Sequence, residues 1–447
     1  MLTRVENETL TRTGAGTPMG SVFRSYWMPA LLSRELAERD GAPKRVKLLG
    51  EDFVAFRDSE GHVGIVEPHC PHRGANLFFG RNEACGIRCV YHGWKFDVHG
   101  RCLEMPTLPD DVADRIRPKA SIRALEVREW GDVIWAYLGP GDAPPLPQFE
   151  FATVPATQRY VSKKFQHCNW AQAVEGGLDT AHFSYLHAGV QNGEKVSLLA
   201  TAPGATTRGE NEPPNVASFR WMANDGMPRF TVMQHDAGLV LAAARNTDGD
   251  DLYWRVTQFL MPNHSLAPGS WPGGVQLGNT WVPIDDESCW IFCYAWHPDR
   301  VLTNDERERW RKGSGIFPAM DDSYVPIRNR GNDYLIDRKR QRESSYTGIE
   351  GISEQDAAIA DSQGLVVDRT RELLGQTDLG IVRFRQMMLA ASQTHAAGGR
   401  PHGVDSAEAY TLRSGDTIAP RDAVLIDVLN GRFGEKWGVT KGVRPLS

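Results

Sequence analysis

Two short stretches of this chain carry residues suited to redox chemistry. Cys70-Pro71-His72 and Cys89-Val90-Tyr91-His92 each offer one thiol and one imidazole, and sixteen residues separate His72 from Cys89. One Cys and one His from each of two loops suit a 2Fe-2S cluster in which two cysteines hold one iron and two histidines the other. Neutral imidazoles then replace two anionic thiolates. The cluster carries less negative charge, and its reduction potential rises above that of an all-cysteine cluster. Zinc also accepts mixed ligands, but usually as a cysteine pair followed by a histidine pair. Here the order alternates and the first gap is a single residue. Gly74 and Gly93 follow the histidines closely, where a tight loop needs backbone freedom. Trp94 is placed to shield one side from water. The pattern favours electron transfer over a structural zinc site.

A second constellation runs from Glu175 to His187, EGGLDTAHFSYLH. Asp179 and His182 are three apart and share a face if a helix continues through them. His182 and His187 are five apart, about 140° around a regular helix at about 100° per residue. They can reach one metal only if the helix ends or bulges, so the spacing predicts a distortion near Ser184–Leu186. Two histidines and a carboxylate form the facial arrangement of non-haem Fe(II) sites, which leaves positions open for O2 and substrate. Taken alone, the same residues read first as partly buried histidines capping a helix. Beside an electron-transfer cluster, the metal reading gains: one centre delivers electrons and the other consumes them. The third ligand must be a distant carboxylate, and spacing does not choose among Glu354, Asp356, Asp361 and Asp368.

The elements that position these residues follow from the wider pattern. A chain of 447 residues allows two or three domains. A 41% apolar content supplies a sizeable core, and a net charge of −6 with both signs interspersed argues against nucleic-acid binding. The start, MLTRVENETLTRTG, has no apolar segment of the signal-peptide kind. No apolar run is long enough to span a membrane. A cytoplasmic location is expected. Of the seven cysteines, the five outside the cluster pattern read as reduced thiols, with a Cys85–Cys102 disulfide left open. The Pro/Gly-rich run 139–147 reads as a linker. Before it lie short β-rich runs at Arg45–Leu49, Phe53–Arg57, Val63–Val66 and Val133–Tyr137, the pattern of a small all-β domain. After it, strand-like runs occur at Ala217–Trp221, Arg229–Gln234, Leu239–Ala243, Leu252–Leu260, Val275–Val282 and Cys289–Trp296. Helical stretches are expected in the second half of 159–187 and at Asp305–Lys312, Glu354–Gln363 and Asp368–Leu389, with a mobile loop over 392–407. The fold class is α+β: an N-terminal segment 1–24, a β-domain 25–145, and a catalytic domain 146–447 with an antiparallel sheet covered by helices.

CPHRG and CVYHGW resemble the Rieske non-haem iron oxygenase family, and D-x2-H-x4-H over Asp179–His187 is similar to its iron motif. The resemblance implies Cys70, His72, Cys89 and His92 as 2Fe-2S ligands and His182 and His187 as iron ligands. It implies that Asp179 links the iron of one subunit to the cluster of a neighbour. Residues 348–356, Ser362-Gln363-Gly364, Asp368-Arg369-Thr370, Asn332–Arg338 and Tyr253–Phe259 resemble the phthalate-dioxygenase branch. There the aspartate of the Gln-Asp pair is the third ligand, which implies Asp356. The resemblance spans roughly residues 20–390. It implies a homotrimer or stacked trimers, in which each cluster serves the iron of its neighbour.

The same resemblance implies an aromatic carboxylate as substrate, O2 as co-substrate and a cis-dihydrodiol as product. No G-x-G-x-x-G nucleotide fingerprint is visible, so electrons from NAD(P)H must arrive through a separate reductase, which the resemblance to the phthalate branch implies carries flavin and its own 2Fe-2S cluster. A carboxylate in a partly apolar pocket needs a cation, and Arg suits it through paired hydrogen bonds. Arg245, after an apolar strand and before a turn, and Arg208, in a loop, are the candidates. Loop 188–216 is expected to shape substrate choice. The alternatives are a monooxygenase or O-demethylase with the same metals, and a pure Rieske electron-transfer protein, which the roughly 300 residues after the linker disfavour.

Overall fold

The computed structural model of the chain describes residues 1–191, 194–197, 214–268 and 274–434. It divides into two compact units. One comprises residues 13–144 and 282–285; the other comprises residues 1–12, 145–281 and 286–447. The N-terminal segment expected over 1–24 is therefore shared between them. Residues 1–12 join the catalytic unit, where helix α1 (Arg4–Thr11) is closed by a capping box between Thr3 and Glu6.

The first unit is built from short antiparallel strands. Strands β1 (Trp27–Leu32), β2 (Lys44–Leu48), β3 (Glu51–Arg57) and β4 (Val63–Val66) precede the cluster loops. Four very short strands follow: β5 (Arg81–Glu83), β6 (Gly86–Arg88), β7 (Lys95–Phe96) and β8 (Cys102–Glu104). Strands β9 (Glu126–Trp130) and β10 (Val133–Tyr137) end the unit. Three small sheets result, ordered β1-β10-β9, β2-β3-β4 and β5-β6-β7-β8. Val54, Phe56, Leu77, Ile87, Phe96 and Met105 form a core that also takes in Cys70, Cys89 and Trp94. The loops that carry Cys70 and Cys89 are thus anchored by apolar burial at one end.

The second unit centres on a large antiparallel sheet. Its strands are β11 (Arg159–Gln166), β14 (Arg229–His235), β15 (Gly238–Asn246), β16 (Leu252–Leu260), β17 (His264–Ala267), β18 (Gln276–Pro283) and β19 (Cys289–Trp296). A separate hairpin comprises β12 (Ala188–Gln191) and β13 (Glu194–Ser197). The sheet runs β11-β19-β18-β17-β16-β15-β14, and β20 (Gly415–Ala419) adds beside β16. The covering helices include α2 (Trp170–Leu178), α3 (Pro214–Asn224), α4 (Asn304–Lys312), α5 (Ile352–Ser362) and α6 (Leu379–Ala396).

Most expected strands form within a residue or two of their reading. Ala217–Trp221 does not: it lies in helix α3. Five residues are too few to separate period 2 from period 3.6. The helix expected over Asp368–Leu389 is shorter at its start. Residues 368–378 are mostly irregular, with Asp368 capping Thr370, and α6 begins at Leu379. It continues to Ala396, so the first residues of the expected 392–407 loop are helical. None of the seven cysteines is in a disulfide, so the Cys85–Cys102 bond left open by the sequence does not form.

Candidate metal centres

The two cluster loops close in the same way. Cys70 N–H donates to the carbonyl of Ala75 at 2.9 Å, and Gly74 N–H donates back to the carbonyl of Cys70 at 2.9 Å. Cys89 N–H donates to the carbonyl of Trp94 at 2.8 Å, and Gly93 N–H to the carbonyl of Cys89 at 2.9 Å. Gly74 and Gly93 sit at φ 73° and 77°, a region that side-chain-bearing residues seldom enter. A Cβ on Gly93 would also stand 2.7 Å from Pro106. These two positions need glycine.

The closures bring four donors to one end of the unit. The His72 and His92 rings are 4.4 Å apart, edge to face, and Trp94 stacks on His72 at 4.7 Å. His72 Nδ1 is buried without a hydrogen-bond partner, an open donor atom. Cys70 and Cys89 are 2% and 3% exposed. Burial, with the charge of Cys89 adding to it, pushes the Cys70 thiol up to about 11. Such a site resists a bare thiolate and suits one bound to a cation. The Cys70 and Cys89 thiols lie near enough to interact and the His72 and His92 rings meet, so the donors fall into a cysteine pair and a histidine pair, as a two-iron cluster needs. The residues fit a 2Fe-2S cluster.

The second centre starts from helix α2. Asn169 begins it by accepting from the N–H of Ala171 at 3.0 Å. The helix ends earlier than the spacing implied. Leu178 is its last residue, and Asp179 is already extended at φ −68°, ψ 127°. A 3-10 turn covers Ala181–Ser184, Tyr185 breaks it at φ −126°, ψ −59°, and β12 starts at Ala188. Asp179 and His182 therefore meet through a turn rather than along one helix face. The Asp179 carboxylate takes the N–H of Ala181 at 2.6 Å and faces His182 Nδ1 at 3.4 Å. The break expected near Ser184–Leu186 falls at Tyr185.

Helix α5 supplies the carboxylate. Gly351, at φ 92°, precedes it; a Cβ there would stand 2.0 Å from Glu354 Oε2. Of the four acids left open by spacing, only Asp356 joins the histidines. Glu354 is buried apart from them, Asp361 accepts the Tyr334 hydroxyl at 2.5 Å, and Asp368 caps Thr370. His187 Nε2 lies 3.1 Å from Asp356 Oδ1, His182 Nε2 lies 3.5 Å from it, and the two Nε2 atoms are 3.1 Å apart. Neighbouring ligands of an octahedral ion at about 2.1 Å are about 3.0 Å apart. The triangle therefore fits one ion bound on one face, with the other face open.

Hydrogen bonding fixes which atoms point inward. Gln355 Nε2 donates to the carbonyl of Ile349 at 2.8 Å, so its Oε1 is the acceptor for His187 Nδ1 at 2.7 Å. His187 Nε2 then carries a lone pair. Asp179 does the same for His182 from outside. Burial pushes the Asp179 carboxyl upward, but hydrogen bonding to His182 and the backbone N–H groups hold it below the ordinary carboxylate range. Three potential ligand atoms thus face one another, a set that a cation would satisfy. Spacing left four acids open and only the resemblance implied Asp356; Gln355 entered that resemblance as the first member of the Gln-Asp pair, with no role of its own.

Arg245 is fully buried at the end of β15. Its Nη2 donates to Thr180 Oγ1 at 3.0 Å and to the Thr180 carbonyl, and its Nε donates to the carbonyl of Asp225 at 3.2 Å. It ties the sheet to the turn between Asp179 and His182. Nη1 has no partner. Arg208 and most of loop 188–216 lie outside the described residues.

Comparison with known proteins agrees with this architecture. A Rieske [2Fe-2S] domain matches residues 26–123, and a LigXa C-terminal domain like family matches residues 136–424. The phthalate 4,5-dioxygenase oxygenase subunit of Pseudomonas putida is 38% identical over 89% of this chain and 88% of its own. The 3-chlorobenzoate-3,4-dioxygenase oxygenase subunit of Comamonas testosteroni is 36% identical over 93% and 95%. The 5,5'-dehydrodivanillate O-demethylase oxygenase subunit of a Sphingobium strain is 30% identical over 95% and 88%. The solved structure of NdmB from Pseudomonas putida CBB5 shares the fold at a TM-score of 0.58, with 20% identity over 92% of this chain and 99% of that one. The chain belongs to the Rieske non-haem iron oxygenases as an oxygenase (α) subunit, an oxidoreductase whose cofactors are a 2Fe-2S cluster and a mononuclear iron.

Proposed function

We propose that this subunit adds both atoms of O2 to the ring of a phthalate-like aromatic carboxylate, giving a cis-dihydrodiol. The reaction takes O2, two electrons and two protons. Cys70, His72, Cys89 and His92 hold the cluster; His182, His187 and Asp356 hold the iron. The observation that carries the reading is the 3.1–3.5 Å donor triangle in a chain that also carries the four-residue cluster pattern. The substrate class rests on relatives named for phthalate and chlorobenzoate.

When bound, the iron activates O2 with electrons relayed by the cluster. The protein's own residues prepare that event. Gln355 and Asp179 fix the ring orientation and proton position of the two histidines. Phe183 stacks on His182 at 4.8 Å and meets His187 edge-on at 4.9 Å, and Phe219, Trp221, Met222 and Tyr253 pack with it. That apolar wall excludes water and suits an aromatic ring. Asp179 is partly exposed and, with His182 and Asp356, lines an open cleft of about 200 Å³. It is accessible to a cluster histidine of a neighbouring subunit, and one carboxylate orienting both rings would couple the centres. Electrons come from NAD(P)H through a flavin and 2Fe-2S reductase, and the subunit works as a trimer or a pair of stacked trimers in the cytoplasm. Among the described residues, no helix is long and apolar enough to cross a membrane.

The O-demethylase relative favours a second reading, removal of a methyl group from a methoxylated aromatic acid by the same residues. Iron-loaded protein with a reductase, NADH and O2 decides between them. Benzoate, phthalate, isophthalate, terephthalate and methoxybenzoates are screened by mass spectrometry. A product two oxygens and two hydrogens heavier supports dioxygenation; loss of a methyl group or gain of one oxygen replaces it with the second reading.

A further inference from the structure

Asp356 turns one carboxylate oxygen toward the histidines. Oδ1 lies 3.1 Å from His187 Nε2 and 3.5 Å from His182 Nε2. Among the described residues, Oδ2 accepts no hydrogen bond. A ligand carboxylate with a loose second oxygen is free to turn, and metal sites hold that oxygen through hydrogen bonds. Asp356 also lines a chamber of about 60 Å³, smaller than the cleft it shares with Asp179. Lys164, Gln166, Asn279, Trp281 and Ser353 line the same chamber. None of these five was singled out by the sequence reading.

Lys164 stands near the end of β11, and its ammonium carries three N–H donors. One goes to the carbonyl of Ile316 at 3.0 Å and one to Ser353 Oγ at 2.6 Å. The third has no acceptor among the described residues. Ser353 lies in the first turn of α5, three residues before Asp356, so the two share a helix face. A cation at that end opposes the helix dipole and needs an anion beside it. Glu354 feels the charge of Lys164, but burial raises its carboxyl above the ordinary range. Burial pushes Asp356 upward too, yet His187, His182 and Lys164 together hold it below that range. Asp356 is therefore the firmer counter-charge. Asn279, on β18, turns a buried Oδ1 without a partner. A buried amide oxygen left unpaired is costly and marks a place for water.

We infer that Lys164 and Asn279 build a water-binding site that holds the outer oxygen of Asp356; this rests on the placement of iron at His182, His187 and Asp356 proposed above. One water accepts from the third N–H of Lys164 and donates to Asn279 Oδ1 and Asp356 Oδ2. Three hydrogen bonds are what an internal water usually makes, and a chamber needs only about 10–15 Å³ to take one. The link leaves Oδ1 facing the histidines and stops the carboxylate from turning. Lys164 touches neither iron nor substrate. It is a positioning residue, acting through water on the third ligand.

The test measures Fe(II) affinity of the full chain, with its cluster, by competition with a chelator. Electron paramagnetic resonance of the iron's nitric oxide complex reports the ligand arrangement. Lys164→Met keeps the length but loses the charge and the donors. Iron should bind about 10–100-fold more weakly, and the resonance should change. Asn279→Leu leaves the Lys164–Ser353 bond in place and removes one acceptor for the water. It should weaken iron several-fold and change the same resonance. Its iron-free melting temperature should hold or rise, because an unpaired buried oxygen is gone. A purely structural Lys164 predicts a lower melting temperature with wild-type iron affinity and resonance. Wild-type affinity and resonance in either variant overturn the inference, and Asn279→Leu decides alone if Lys164→Met fails to fold. Asp356→Ala that binds iron like the wild type overturns the iron placement itself, and the inference with it.

Discussion

His187 does not turn freely. Gln355 holds its Nδ1 at 2.7 Å, and Gln355 is itself held by the carbonyl of Ile349. That chain of two hydrogen bonds fixes the ligating nitrogen before any metal arrives. Gln355→Leu removes it without adding charge. It should weaken iron binding about 10–100-fold, the usual cost of losing such a support, and dialysis against a chelator would show it. Asp179 supports His182 from outside the triangle. Asp179→Asn should keep cluster and iron yet slow turnover by about 10–100-fold. Normal steady-state turnover in that variant would sink the coupling role. At this scale the sequence was readable where residue type alone limits chemistry. Cys and His in alternating order, or two His near an acid, have few uses. Gln355 was not readable, because Gln is common and only its buried hydrogen bonds to His187 and Ile349 mark it.

Helix α2 shows what the element scale adds. Its two consecutive glycines look alike in sequence but do different things. A Cβ on Gly176 meets nothing within 4 Å, whereas one on Gly177 would stand 2.4 Å from the buried indole of Trp281. Gly176→Ala should therefore stabilise by about 0.5–1 kcal/mol, the helix preference for alanine. Gly177→Ala should destabilise by about 1–3 kcal/mol through overpacking, and it should also disturb the Asp179 turn two residues on. Differential scanning calorimetry of both variants checks the contrast; equal shifts would contradict the close approach. Strands such as Gly238–Asn246 were legible because a continuous apolar run, here Leu239–Ala244, bounded by turn residues has few other readings. The helix over Ala217–Trp221 was not, since a five-residue run carries too little periodicity. The early end of α2 was also hidden, because nothing in Gly-Gly-Leu-Asp forces the chain out of a helix before Asp179.

For the whole molecule, the cluster and the iron sit in two separately compact units. If each cluster serves the iron of a neighbouring subunit, two broken chains can repair one another. Cys89→Ser lacks the cluster and His182→Ala lacks the iron, so each alone should be inactive. Co-expressed, they should form mixed oligomers with a substantial fraction of wild-type turnover. Mixed oligomers with no activity would place electron transfer inside one chain. The order of the two units was legible from the Pro/Gly-rich run and the switch in strand pattern. The return of residues 1–12 to the catalytic unit was not, because docking of a short amphipathic helix leaves no local signature.

The measurement that bears most directly on the whole account is the iron and acid-labile sulfide content per chain of the wild type and of His182→Ala. A 2Fe-2S cluster plus one iron at His182, His187 and Asp356 predicts three irons and two sulfides per chain in the wild type. The variant should hold two irons and two sulfides, with its visible spectrum unchanged. Zinc in place of iron, or loss of sulfide together with iron in the variant, would contradict two independent centres held by these residues.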